Sequence, residues 1–264
     1  VVGGGNTGVE VASELAEAYP ALQLTLVTRQ SFARNLSAPA RAYIRQAFAR
    51  LGITFVEKTE IVQVQEEHAL AADGRTFRFD ACIWVAGFAV PGLAQRSGLR
   101  VNERRQIVID RAMRSLSHPE VYAAGDAAFP LAEPGAPVRM SLYTALLMGA
   151  HAADTLAAQL NGRTPSAFGF SYGALALSLG RHDGVVQFLD PNTDAPLKYI
   201  FTGSLANRLR ETFVKLAVQI IRLQRSLPWI FYWPGKNKLR HVRVDARREV
   251  EAGIKDSVTA VQGR

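Results

Sequence analysis

The chain has 264 residues, enough for about two domains with real hydrophobic cores. At 48% apolar and 20% charged, with 21 Gly and 12 Pro, it is not wholly disordered, collagen-like or a coiled coil. One cysteine, Cys82, excludes an internal disulfide framework, a CxxC redox pair and a thiolate metal cluster.

No apolar run approaches the ~18 residues of a spanning helix, and no secretory signal opens the chain, so a cytoplasmic location is expected. The chain begins on Val1-Val2 rather than Met and runs straight into glycines, as expected if its front end is missing. The net charge of +8 is concentrated. Between Gly203 and Arg243 stand Arg208, Arg210, Lys215, Arg222, Arg225, Lys236, Lys238, Arg240 and Arg243 against one acid, Glu211, and the remainder is neutral. A local basic segment points to a polyanionic surface. No nucleic-acid-reading motif accompanies it, so membrane lipid is favoured over nucleic acid.

In chain order, Val1-Val2 read as the end of a strand and GGGNTG as a turn. Val9, Ala12, Leu15 and Ala16 repeat at helical spacing, predicting a helix over 7–19 that Pro20 closes. Strands are predicted over 22–27 and 53–56, on either side of a helix over 40–51 ended by Gly52. Short alternating strands fill 61–79, with Asp73-Gly74 as a hairpin turn. Ala81 to Ala86 read as a buried strand in which Cys82 is a small buried hydrophobe. This βαβαβ order with an antiparallel insert predicts an α/β fold, a Rossmann-like dinucleotide-binding domain over 1–88.

Beyond a Pro91-Gly92 linker, strands are expected at 107–109 and 121–124, with a long helix over 141–160. Residues 89–162 form the second predicted domain and 163–264 a C-terminal α+β region. That region carries strands at 174–179 and 185–189, a basic amphipathic helix over about 205–225, and a loose tail from Asp245. The five histidines are scattered without ligand spacing, so no metal is expected.

Gly3-x-Gly5-x-x-Gly8 stands between strand and helix. The first glycine permits a tight turn, the second lets a pyrophosphate approach the backbone, and the third lets helix pack on strand. The phosphate then meets free N–H groups, those of Asn6 and Thr7 among them, and the positive end of the helix dipole. The acid expected about 20 residues on, for a ribose 2′-hydroxyl, is absent. Thr28 fills that slot and Arg29 comes next, either as a partner for a 2′-phosphate or as the cap of an exposed strand end.

GGGNTGVE, then ACIWVAGF with Pro91 shortly after, then VYAAGDAA, together resemble the two-dinucleotide flavoprotein superfamily, and within it the type II NADH dehydrogenases. The resemblance spans Val1 to about Trp233. It implies an FAD site at Gly125-Asp126, whose carboxylate can accept hydrogen bonds from ribityl hydroxyls, or else simply caps the next helix or loop. It implies close passage of a cofactor at Ala86 and Gly87, and a first FAD-binding half upstream of Val1. Glu10 matches a family glutamate near the nicotinamide; the alternative is a carboxylate serving the helix dipole. The cofactors implied are FAD and NAD(P)H, with hydride passing to the flavin and electrons to an acceptor.

The lack of CxxC argues against the superfamily's disulfide reductases and leaves oxygen, a protein carrier or a quinone. The family's quinone site uses glutamines on the helix after the Gly-Asp motif, whereas MSLYTALLMGAHAADTL has none before Gln159. An apolar pocket near Tyr143 or Met148, or a different acceptor, would accommodate that departure.

Leu205, Leu209, Phe213, Leu216, Ile220, Leu223 and Leu227 form one apolar stripe, and Trp229, Ile230, Phe231, Tyr232 and Trp233 come after it. Segment 205–243 therefore suits an anionic membrane interface. The stripe would otherwise cover a flavin domain or a second copy in a homodimer. The sequence reading is an FAD-dependent NAD(P)H:quinone oxidoreductase truncated at its N-terminus, non-pumping, peripheral on the inner face of the cell membrane, with the isolated fragment expected to bind FAD poorly and to be inactive. The alternatives are a soluble reductase of a ferredoxin-like carrier and a non-catalytic NAD(P)-sensing module.

Overall fold

The computed structural model describes residues 1–130, 138–191, 193–224, 226 and 227. Arg225, the aromatic run from Trp229, the four basic residues from Lys236 to Arg243 and the tail lie outside the described residues. In chain order the elements are α1 (Asn6–Ala18), β1 (Thr25–Val27), α2 (Ala38–Arg50), β2 (Thr54–Val56), β3 (Ile61–Val64), β4 (His68–Ala71) and β5 (Thr76–Arg78). Next come α3 (Leu93–Arg96), β6 (Ile107–Ile109), a 3-10 turn (Gly125–Ala127), β7 (Ala128–Pro130) and α4 (Leu142–Leu160). The last elements are β8 (Ala174–Ser178), β9 (Gly184–Leu189), β10 (Pro196–Thr202) and α5 (Gly203–Leu223).

Two compact units divide the chain. The first joins Val1–Gly87 to the described residues from Tyr172 onward; the second is Phe88–Ser171. In the first, β2 pairs parallel with β1. Val2 bridges both Val27 and Trp84, again in parallel. The spatial order is therefore third, second, first, fourth, that of a Rossmann half, and the fold is Rossmann-like α/β.

The β3-β4-β5 meander is the antiparallel insert, and Gly74, at φ +86°, turns the last hairpin. Asp73 secures that turn by accepting from the Arg75 amide at 3.1 Å. Ser37 starts α2, its hydroxyl accepting from the Ala40 amide with Pro39 just inside the helix. The helices bury Val9, Ala12, Ile44 and Phe48 against Leu26, and Phe32, Phe48 and Phe55 meet at centroid distances of 5.3–6.0 Å. Leu177, Leu179 and Val185 belong to this same core, because the antiparallel β10-β9-β8 sheet packs on α1 and α2. Helix α5 docks on that sheet through buried Ala206 and Asn207, whose side-chain amide donates to the Arg181 carbonyl at 2.6 Å.

In the second unit β6 pairs parallel with β7. Met113, Met148 and Ile109 form its core beside α4, which Ser141 caps through the Thr144 amide at 3.2 Å.

Three expectations need correction. Ala81–Ala86 is extended, but its ladder is one bridge, with Val2 donating to Ile83 and Val85 donating to Val2. Its partner offers only Val2 to the ladder, and Trp84 is 52% exposed rather than buried; Cys82 is half-buried. The strand expected at 121–124 reduces to a bridge from Tyr122 to Arg114, and the paired strand comes later, at β7. β10 has no counterpart among the expected strands. Its exposed residues set one charge, Lys198, among Pro196, Leu197, Tyr199 and Phe201, so the apolar–polar alternation that marks a strand is blurred.

Candidate functional site

The glycine turn is built from opposed steric demands. Gly3 has φ +125°, and a Cβ there would lie 2.9 Å from the Ala86 amide nitrogen, so the Ala86 segment passes directly over the turn. A Cβ on Gly4 would come within 2.5 Å of Thr28 Oγ1, and one on Gly8 would overlap the Gly3 carbonyl oxygen. Gly5 differs, since a Cβ there meets no atom within 4 Å. The open face therefore lies at the middle glycine, where a ligand's phosphates would approach.

Gly5 is also the N-cap of α1 and supplies no side-chain oxygen, and no acid occupies the first turn. The positive end of the helix and its first amides thus face outward at Gly5, which is what an anion requires. Asn6 carries a buried side-chain oxygen with no hydrogen-bond partner. The residues present fit a dinucleotide diphosphate.

At the end of β1, Thr28 is buried, and its carbonyl accepts from the Thr59 amide at 2.9 Å. Arg29 projects outward and pairs with Glu60 at 3.4 Å; the two side chains are 69% and 51% exposed. Glu57, earlier in the same loop, accepts from the Phe32 amide at 3.0 Å and pairs with Arg45 at 3.3 Å. Ala86 accepts from the Trp84 indole at 2.9 Å, and Gly87 turns the chain at φ +81°.

Glu10 lies a turn into α1. Its carboxylate accepts from the Ser178 amide at 3.0 Å and pairs with Arg210 of α5 at 3.0 Å. Glu14 and Glu17 come next on the same face, the first accepting from the Ser178 hydroxyl and the second from the Arg181 amide. This carboxylate ladder pins α1 to the end of β8 and its following turn. Arg210, read from sequence only as part of a basic face, is thereby partnered.

In the second unit, Gly125 at φ +67° opens the 3-10 turn, and a Cβ there would press on Ala145 at 3.2 Å. Asp126 comes next with an exposed side chain, and Gln106 fixes the turn by donating to the Asp126 carbonyl at 3.0 Å and the Ala128 carbonyl at 3.3 Å. An exposed carboxylate on a turn held by its backbone fits a polyhydroxylated ligand. Met148 is fully buried in the core, and Tyr143 stacks edge-on with Phe170 at 6.4 Å. Gln159 accepts from the Tyr122 hydroxyl. His151 is buried, its Nε2 3.1 Å from the Ser166 carbonyl. Among the described residues no group of three His, Cys, Asp or Glu is arranged to hold a metal ion.

Sequence reasoning missed Glu60, Arg210, Ser178 and Gln106. None carries a local signal, because each acts on a residue far away along the chain, from 20 positions for Gln106 and Asp126 to 200 for Arg210 and Glu10.

Residues 1–153 match the family described as pyridine nucleotide-disulphide oxidoreductase, and the chain belongs to that family. Ferroptosis suppressor protein 1 of Xenopus laevis is 26% identical over 205 residues, covering 71% of this chain and 52% of that protein. The type II NADH:quinone oxidoreductase of Haemophilus influenzae is 29% identical over 147 residues, covering 48% of this chain and 32% of its own. Among solved structures, an FAD-dependent pyridine nucleotide-disulphide oxidoreductase from Desulfovibrio vulgaris superposes with a TM-score of 0.56 at 22% identity, over 71% of this chain and 47% of that one. The chain spans about half the length of the first of these relatives.

Proposed function

We propose that this chain works as an FAD-dependent NAD(P)H dehydrogenase that delivers electrons to a quinone at a membrane surface, without pumping protons. The cofactors are FAD and NAD(P)H. When bound, they supply the hydride and electron chemistry, and the chain's residues bind, orient and exclude water. The observation that carries this reading is the glycine turn, sterically closed at Gly3, Gly4 and Gly8 but open at Gly5, at the uncapped positive end of α1. Gly3, Gly5, Asn6, Thr7 and Gly8 would hold the diphosphate of the nicotinamide dinucleotide. Arg29 would lie toward its adenosine ribose, with Ala86 and Gly87 bordering the turn. Gly125 and Asp126 would hold the flavin's ribityl chain.

Glu10 would orient the nicotinamide carboxamide. Held between the Ser178 amide and the Arg210 guanidinium, its carboxylate is a fixed acceptor rather than a swinging one. The quinone and membrane parts of the reading draw support from α5. Leu209, Phe213 and Leu216 are exposed on it beside Arg208, Lys215 and Arg222. No helix among the described residues is long and apolar enough to cross a membrane. The contact proposed is a peripheral one, made by the apolar and basic side chains of α5 on the inner face of the cell membrane.

Anaerobic addition of NADH or NADPH to the protein supplied with FAD, followed by a short-chain quinone, tests the proposal. Bleaching of the flavin absorbance by a nicotinamide and prompt recovery with quinone is the expected result. Recovery only with a ferredoxin-like carrier would transfer the acceptor role to a protein. A folded chain that binds no nicotinamide dinucleotide would overturn the reading.

A further inference from the structure

Dinucleotide folds usually select a free ribose 2′-hydroxyl with an acid at the end of the second strand. Here Thr28 stands in that slot, its side chain packed on Gly4 and so turned toward the glycine turn. The loop into β3 returns to this strand end, because the Thr59 amide donates to the Thr28 carbonyl at 2.9 Å. Glu60 is the very next residue and brings its carboxylate to Arg29 at 3.4 Å. The other acid of the loop, Glu57, is committed to Phe32 and Arg45, and Arg75, which reaches Thr59, is paired with Asp73.

We infer that Glu60 and Arg29 form a selector for the 2′ position of the adenosine ribose, in which Glu60 favours a dinucleotide with a free 2′-hydroxyl. The inference rests on the nicotinamide-dinucleotide reading of the glycine turn. The acid absent from the strand end is supplied from the loop between β2 and β3. A 2′-hydroxyl donates to Glu60 and leaves the ion pair intact. A 2′-phosphate must take Arg29 away from Glu60 and then lie beside a bare carboxylate. The pair is exposed and therefore weak in water, so preference turns on Glu60's charge rather than on a rigid barrier.

The test is titration of the 264-residue chain with NADH and with NADPH at one ionic strength, monitored by nucleotide fluorescence. The unaltered chain is expected to bind NADH about tenfold or more tightly than NADPH. Glu60→Gln should close that gap, mainly by gaining NADPH affinity. Glu60→Asp should keep the preference, and Arg29→Gln added to Glu60→Gln should abolish the gain. A preference for NADPH in the unaltered chain, or an unchanged ratio in Glu60→Gln while both nucleotides still bind, would overturn the selector and leave the dehydrogenase reading standing. A folded chain that binds neither nucleotide overturns that reading and the selector with it.

Discussion

Gly5 and Gly8 share a motif but answer to different constraints, and substitution separates them. A methyl group at Gly8 overlaps the Gly3 carbonyl oxygen, which is backbone and cannot step aside. Gly8→Ala should therefore cost about 2 kcal/mol or more of folding stability, read as a lower urea midpoint at unchanged slope. Gly5 has φ −74° and empty space where a Cβ would stand, so Gly5→Ala should alter stability by no more than about 0.5 kcal/mol. It should nevertheless weaken dinucleotide binding at least tenfold, because the methyl occupies the approach of the phosphates. Equal losses of stability in the two variants would contradict this assignment of the turn. The motif was legible in sequence, but the difference between its glycines was not, since it depends on which atoms stand opposite each Cα.

At the scale of elements, the side chains that lock α2 to the β8–β9 turn make stability depend on pH. The Tyr43 hydroxyl donates to Asp183 at 2.8 Å, and Arg50 pairs with the same carboxylate. Burial, then the hydrogen bond and negative charge of Asp183, raise the Tyr43 hydroxyl above its ordinary value of 10.0, against the opposing pull of Arg50. A raised value means that the folded state holds this proton more tightly than the unfolded chain does. The contribution is complete below pH 10.0 and is lost as pH climbs above it through the folded value. Thermal melts between about pH 9 and 11 should thus fall more steeply for the unaltered chain than for Tyr43→Phe.

Helix α5 yields the second prediction at this scale. Its anchor is Ala206 and Asn207, whereas Phe213 is 55% exposed and Leu209 is 44% exposed. Replacing both by Gln should leave the melting temperature within a few degrees. It should also abolish co-sedimentation with anionic phosphatidylserine vesicles. Undiminished sedimentation of the double variant would remove the stripe from the membrane proposal. The amphipathic spacing of this helix was plain in the sequence. Which face docks inward was not, because the buried contact is made by a small residue and an asparagine rather than by the leucines.

At the scale of the whole molecule, the first unit is assembled from two distant stretches of chain. Leu177, Leu179 and Val185 share a core with Val9, Leu26 and Phe48, and Gln187 accepts from the Ser37 amide at 3.0 Å. Ser178 and the turn after it occupy the carboxylates of α1. A chain ended at Ser171 should therefore lose several kcal/mol of stability in its first unit and bind dinucleotide weakly, even though the glycine turn is intact. Calorimetry that finds an unaltered melting transition for the shortened chain would show that residues 1–87 need no such support.

The sequence by itself determined the parts whose causes are local. Helical spacing at Val9, Ala12 and Ala16 and the Asp73-Gly74 turn each carry their reason within a few residues, and the glycine motif ties strand to helix over the first eight. The tertiary structure alone decided what depends on chain return: that Val2 lies between Val27 and Trp84, that Trp84 is exposed, that β10 exists, and that Glu60 faces Arg29. It also decided that Glu10 is held by Arg210, a residue 200 positions later. Periodicity reports how a segment would bury itself, but not which segment covers it. Contacts between residues remote in sequence are fixed only when the sheet order and the packing of the β10-β9-β8 sheet bring them together.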